Sequence, residues 1–171
     1  SYPRHKSLRI TDGISKTLQL AEVRIRDNPL DQRGAWALPW TGASLLALDV
    51  HDRDLDDFGR PDPITAGKPF NVSKQYLGQS QTPNNQGPLH DVLYDCPDQA
   101  GAQLEGMPCQ KFAASNYHSA APRSRHTGGV VVAFADTSVR FLVDEVGDEL
   151  LSYLISINDG QAGLDYSAAV R

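Results

Sequence analysis

Residues 128–143, GGVVVAFADTSVRFLV, constrain the fold more than any other stretch of this chain. Val130, Val132 and Phe134 alternate with Val131, Ala133 and Ala135, so a strand here is buried on both faces or nearly so. Asp136, Thr137 and Ser138 then read as a turn, after which Val139, Phe141 and Val143 resume the alternation around Arg140. The pattern predicts a β-hairpin entered through Gly128 and Gly129, residues that permit positive φ or close backbone approach. A two-residue type I′ turn at its tip would need positive φ at both central positions, which a β-branched threonine resists. A longer or displaced turn is therefore expected around Thr137.

The remaining sequence fits the same class. With 11 prolines and 14 glycines, and helical periodicity clear only near the C-terminus, strands and long ordered loops are expected rather than a helical bundle. The chain has 171 residues, 40% hydrophobic and 22% charged, enough to bury a core as one globular domain spanning 1–171. The expected architecture is mainly β (α+β), an antiparallel sheet with long loops and a short C-terminal helix. That helix falls in DELLSYLISIN, with Asp148 as its cap and Gly160 beyond its end. A formal net charge of −5 leaves no basic excess for a phosphate backbone, which argues against nucleic acid as a partner. No run approaches the roughly 18 apolar residues of a membrane helix.

Residues 10–27, ITDGISKTLQLAEVRIRD, read as an Asp12-Gly13 turn leading into a strand. At period two, Leu18, Leu20 and Glu22 share a face, so Glu22 points inward with the leucines or sits at a solvent-facing strand end. An inward carboxylate needs a partner, with Arg24 or an arginine further along the chain as candidates. In RGAWALPWTGAS, Pro39 between Trp36 and Trp40 excludes a helix or central strand, leaving an edge or ordered loop. The tryptophans are either rim packing or a stacking platform for a glycan.

Residues 49–87 are polar and irregular, and crowd Asp49, Asp52, Asp54, Asp56 and Asp57 together. Asp52, Asp54, Asp56 and Asp57 are candidate ligands for one hard cation, which would be calcium. The EF-hand pattern is broken, because Asp57 stands at the glycine position and Pro63 at the glutamate position; a solvated acidic loop is the other reading. Asn71-Val72-Ser73 matches the N-glycosylation pattern. Cys96 and Cys109 enclose a loop of small residues with little else to hold it. A disulfide in an oxidising compartment is expected rather than two separate buried thiols, since the spacing fits no zinc pattern.

Ser124, His126 and Asp136 supply the residue types of a catalytic triad, but no G-x-S-x-G elbow occurs, and no enzymatic activity is expected. His118 and His126 lack the helical spacing of a metal pair. His126 is expected to bond Asp136 or a loop carbonyl, and Arg123, Arg125 and Arg140 to serve carboxylates such as Glu22.

Taken together, SRHTGGVVVAFADTSVRFL, ITDGISKTLQLAEV, RGAWALPWTGAS and the segments around DCPDQAGAQLEGMPC and SAAPRSRH resemble the planctomycete pilin-like proteins recorded as DUF1559. Their C-terminal signature places a histidine nine residues before Asp-Gly. His126 and Asp136 keep that spacing, while Thr137 replaces the glycine. The resemblance implies a secreted or cell-surface subunit made as a precursor with a prepilin-type leader and a long hydrophobic N-terminal helix. This chain would be its C-terminal, pseudopilin-like part. Assembly into a filament or surface layer, as a homo-oligomer or with other pilin-like subunits, is the expected function. A secreted calcium-dependent module binding a glycan or solute is the alternative.

Overall fold

The expected hairpin organises one half of the protein. In the computed structural model, which describes residues 10–47, 82–86, 91–113, 118–157, 163 and 165–171, β4 (Gly129–Phe134) pairs antiparallel with β5 (Val139–Val143) in the register Gly129↔Val143 to Ala133↔Val139. Val130, Val132 and Phe134 are buried, while Val131 and Ala133 are half-covered. Gly128 takes φ +85°, and a Cβ on Gly129 would run into the Leu142 carbonyl oxygen, so both glycines are needed at the entrance.

The tip is a longer turn, as the threonine demands. Thr137 N–H donates to Phe134 O at 2.9 Å and Phe134 N–H to Ser138 O at 2.9 Å, which closes a three-residue loop. Only Thr137 then needs positive φ, and it adopts +71°. Asp136 Oδ1 secures the turn, accepting from Ser138 N–H at 2.9 Å and Ser138 Oγ at 2.6 Å. Left-handed backbone costs an L-residue roughly 1–2 kcal/mol, and a β-branched one is a genuine outlier there. Thr137→Gly is expected to raise stability by about 1 kcal/mol, a gain of roughly 2–4 °C in Tm by thermal melting. An unchanged or lower Tm would show that the turn is not strained.

β1 (Leu18–Ala21) pairs antiparallel with the far side of β4, giving the sheet order β1-β4-β5. The period-two expectation fails here, because the register slips between Leu18 and Leu20. Such a bulge sets two residues against one and turns the later side chains to the other face. Leu18 and Ala21 therefore pack on the core, while Leu20 is 68% exposed. The outer edge of β5 is covered by the C-terminal residues, with Phe141 and Arg171 exchanging N–H···O bonds of 2.8 and 2.9 Å. α2 (Asp148–Ile155) closes the core beneath the sheet through Leu151 and Leu154. Its cap is Gly147, in extended conformation, so Asp148 is the first helical residue and not the cap expected from the sequence.

The other half is a small crossover unit. β2 (Asp91–Leu93) and β3 (Cys109–Lys111) run parallel, joined through α1 (Gln99–Leu104). A parallel pair requires a connection of about a dozen residues or more, and this one is not the slack loop its small residues suggest. Asp98 caps α1, accepting from Gly101 N–H at 3.0 Å. Gly106, at φ +67°, ends it with Gly106 N–H to Gln103 O at 3.1 Å and Met107 N–H to Ala102 O at 2.8 Å. That bond pair is the Schellman closure. The expected disulfide joins Cys96 to Cys109 with a Cα–Cα separation of 6.0 Å, within the usual range. Leu93, Cys96, Ala102, Cys109 and Ala120 make a second core cluster beside the first.

Candidate functional site

Charge is concentrated between the crossover unit and the loop that follows β1. Arg26, Arg33 and Arg123 are all buried, as is Asp91 in the middle of the second core. Ionised groups persist out of water only when paired and hydrogen-bonded, and here the pairing is nearly complete. Arg33 grips Asp31 with two bonds, Nε to Oδ1 at 3.0 Å and Nη2 to Oδ2 at 2.7 Å. It then reaches Asp91 Oδ2 at 3.0 Å and Met107 O at 2.7 Å. Arg123 forks onto the same aspartate, Nε to Oδ2 at 3.0 Å and Nη2 to Oδ1 at 2.9 Å, while its Nη1 bonds Asn85 O at 2.8 Å. Asp91 Oδ1 also accepts Ala121 N–H at 3.1 Å. Arg26 extends the chain of charges, reaching Glu105 and Asp98 at 2.8 Å and Asp31 at 3.2 Å.

The ionisation equilibria follow from these contacts. Burial alone would raise the Asp31 carboxyl, but hydrogen bonds and charge from Arg33, helped by Arg26, outweigh it and hold Asp31 below its ordinary value. Burial likewise opposes the charge on Arg33, and Asp31 and Asp91 reverse that effect to raise it. Hydrogen bonding to Glu105, ahead of Asp98 and Asp31, holds Arg26 well above the usual arginine value. Five planar donors per guanidinium suit this task, since each can serve carboxylates and carbonyls together. The network joins residues distant in sequence, so it locks loop 26–33, the crossover unit and residues 121–123 into one arrangement.

At the hairpin entrance, His126 does not bond Asp136 as expected, because β4 puts the two at opposite ends of a strand. His126 Nε2 lies 3.2 Å from Glu22 Oε1, and Glu22 Oε2 accepts Val131 N–H at 2.8 Å. Glu22 thus finds a histidine rather than an arginine. Ser124 Oγ donates to Gly129 O at 2.7 Å and accepts His126 N–H at 3.0 Å, so Ser124, His126 and Asp136 do not assemble into a triad. Asn84 ties this entrance to residues 82–86 and to Asp144, at 2.9 Å. Arg123 serves Asp91 rather than Glu22. Arg140 lies over the rings of Phe134 and Tyr166, at 4.9 and 5.7 Å, where the ring quadrupoles replace the expected carboxylate.

The tryptophans separate. Trp36 is 87% exposed, whereas Trp40 packs against Tyr94 at 5.9 Å and donates to Gln32 at 3.0 Å. His118 stacks on Phe112. Asp52, Asp54, Asp56, Asp57 and the Asn71 pattern lie outside the described residues. Among those described, no group of His, Cys, Asp and Glu side chains could hold a metal ion, and no helix is long and apolar enough to cross a membrane. Beside the outer edge of β1, which has no strand partner among the described residues, runs an apolar groove of about 380 Å³, lined by Leu18, Leu20, Leu45, Leu142, Leu151 and Ile155 among others. Sequence reasoning missed Arg26, Arg33 and Asp91, and the groove with them.

A comparison with curated proteins and with solved structures returns no match. The hairpin signature and the segments that hold it lie within residues 3–149, which match the family model described as protein of unknown function (DUF1559). With most of its 171 residues inside that match, the chain belongs to the DUF1559 family.

Proposed function

We propose that this protein is a non-enzymatic, secreted or cell-surface subunit of pilin-like type that assembles with copies of itself or with sister subunits into an extracellular filament or layer. The observation that carries the reading is the outer edge of β1, which no described strand covers. Exposed sheet edges are ordinarily guarded by lysine, proline or a covering element. Leu18–Ala21, LQLA, contains neither residue, and no backbone partner lies on its outer side among the described residues. The strand is short and bulged, which limits main-chain pairing with a neighbour. Side-chain burial in the adjacent groove would therefore carry the contact, with exposed Leu20 at its rim. The buried charge network reaches this groove at one point, where Ala121 N–H bonds Asp91 between the lining residues Ala120 and Pro122. The Cys96–Cys109 disulfide supports an oxidising compartment.

Leu20→Lys places a charge where the contact would form. It is expected to weaken self-association at least tenfold in sedimentation velocity and to remove filaments or regular layers from electron micrographs. Tm should stay unchanged, because surface substitutions usually move stability by no more than about 0.5 kcal/mol. Assembly equal to that of the unaltered protein would exclude the β1 edge as the interface.

A further inference from the structure

Arg140 shares the inward alternation of β5 with buried Leu142, yet it has no carboxylate partner among the described residues. Aromatic rings hold it instead, with Cζ 4.9 Å from the centroid of Phe134 and 5.7 Å from that of Tyr166. Its one hydrogen bond among the described residues runs from Nη1 to Tyr166 Oη at 3.4 Å, longer than an ordinary N–H···O bond. A guanidinium carries five donors, so most of its bonding capacity is unused. Tyr166 is a fixed platform, because its hydroxyl donates to Ser15 O at 3.1 Å and its ring packs on Phe134 with centroids 6.1 Å apart. Lys16 Nζ lies 5.8 Å from the centroid of the same ring, which brings two cations together. Lys16, Arg140 and Tyr166 line a cavity of about 420 Å³ with Asp165, Ser167 and Val170. Both cations are half-buried, while Asp165 and Ser167 are exposed, so a ligand entering from solvent can reach all four polar groups.

That lining selects a ligand class. Two cations call for an anion, but Asp165 repels a bare one, and the cavity is far larger than a lone carboxylate or sulfate needs. Its volume lies within the roughly 300–1,000 Å³ of small-molecule sites. An amino acid fits poorly, since its ammonium would meet Lys16 and Arg140 as well as Asp165. A carboxylate accepts from hydroxyl groups, and a serine hydroxyl both donates and accepts. A molecule with one carboxylate beside several hydroxyls therefore satisfies the whole set. We propose that Arg140, Lys16, Asp165 and Ser167 form a binding site for a uronate, the acidic sugar residue of an anionic glycan. Arg140 and Lys16 hold its carboxylate, to which a planar guanidinium is matched, and Asp165 and Ser167 take its hydroxyls. None of these residues lines the groove beside β1, so the site does not depend on that edge serving as an interface.

The test titrates the whole chain with galacturonate, galactose and acetate and follows amide chemical shifts. Galacturonate is expected to bind saturably, with shifts centred on residues 139–141 and 165–167, and at least tenfold more tightly than galactose or acetate. Arg140→Met keeps an apolar stem over Phe134 and removes the charge, and should weaken galacturonate at least tenfold. Asp165→Ala, at an exposed position, should leave Tm unchanged and bring galacturonate down to the level of acetate. Tm reports on the fold of each variant, and Asp165→Ala carries the test if Arg140→Met unfolds. The site is excluded if galacturonate does not saturate, if the shifts lie elsewhere, or if neither variant weakens binding. Acetate or galactose binding as tightly as galacturonate would overturn a uronate as the ligand. Leu20→Lys should bind galacturonate unchanged, which separates failure of this site from failure of the edge contact.

Discussion

Asp91→Ala is expected to cost about 3–5 kcal/mol, the range for removing one partner of a buried ion pair. Typical domain stability is about 5–15 kcal/mol, so the variant should unfold at much lower urea or fail to accumulate as folded protein. The physical cause lies with the groups left behind. Arg33 keeps its fork on Asp31 and its bond to Met107 O, but Arg123 loses both bonds to a carboxylate and retains only Asn85 O and Gly106 O. The guanidinium at 2% exposure would then carry an unneutralised charge. Combining Asp91→Ala with Arg123→Met removes that charge as well and should restore part of the loss, giving a positive coupling in a double-mutant cycle. The exposed Lys111–Asp95 pair, at 3.1 Å, is the contrast, because such pairs contribute about 0–1 kcal/mol. A cost for Asp91→Ala as small as that would mean the network does not hold the fold.

Removing the disulfide, by reduction or by Cys96→Ser with Cys109→Ser, is expected to cost about 3 kcal/mol, from the chain entropy of a closed loop of this length. The sequence separation is 13. The crosslink ties the start of the crossover to β3, where Cys109 faces Asp91 in the parallel register. Its loss should therefore loosen β2, α1 and β3 before the hairpin. Amide exchange is the sharper measurement: protection should fall first in the crossover unit and persist in β4 and β5, whose core cluster contains neither cysteine. Uniform loss of protection would show that the two clusters unfold as one unit.

Legibility followed the range of the interactions. The β4–β5 hairpin was readable because alternation and a turn are local, and even the difficulty at Thr137 could be anticipated from its branched side chain. Asp98 and Gly106, the cap residues of α1, were present as local signals, but small residues and Gly101 between them disguised the helix. β1 was placed correctly and its facing was not. The bulge that turns Leu20 outward is set by its partner strand, and no periodicity within β1 reveals it. Trp36 and Trp40 lie four residues apart in the sequence, yet the loop leaves Trp36 in solvent and packs Trp40 on Tyr94.

The candidate site was harder still. Arg24, Arg26 and Arg33 are identical in residue type and close in sequence, and a composition count cannot say which of them is buried. Arg33 is fixed by Asp91, 58 residues away, and Arg123 by the same aspartate from 32 residues on the other side. Glu22 and His126, separated by 104 residues, likewise meet only through the β1–β4 pairing. Local chemistry in the sequence determined the class of fold, the hairpin, the crosslink and the family, because periodicity, turn propensity and cysteine spacing act over a few residues. The tertiary structure alone decided which charges are neutralised, which strand edge has no partner among the described residues and which buried arginine nitrogen, Arg24 Nε, goes without a hydrogen bond. Those depend on distances between remote segments, and burial makes the unpaired cases costly.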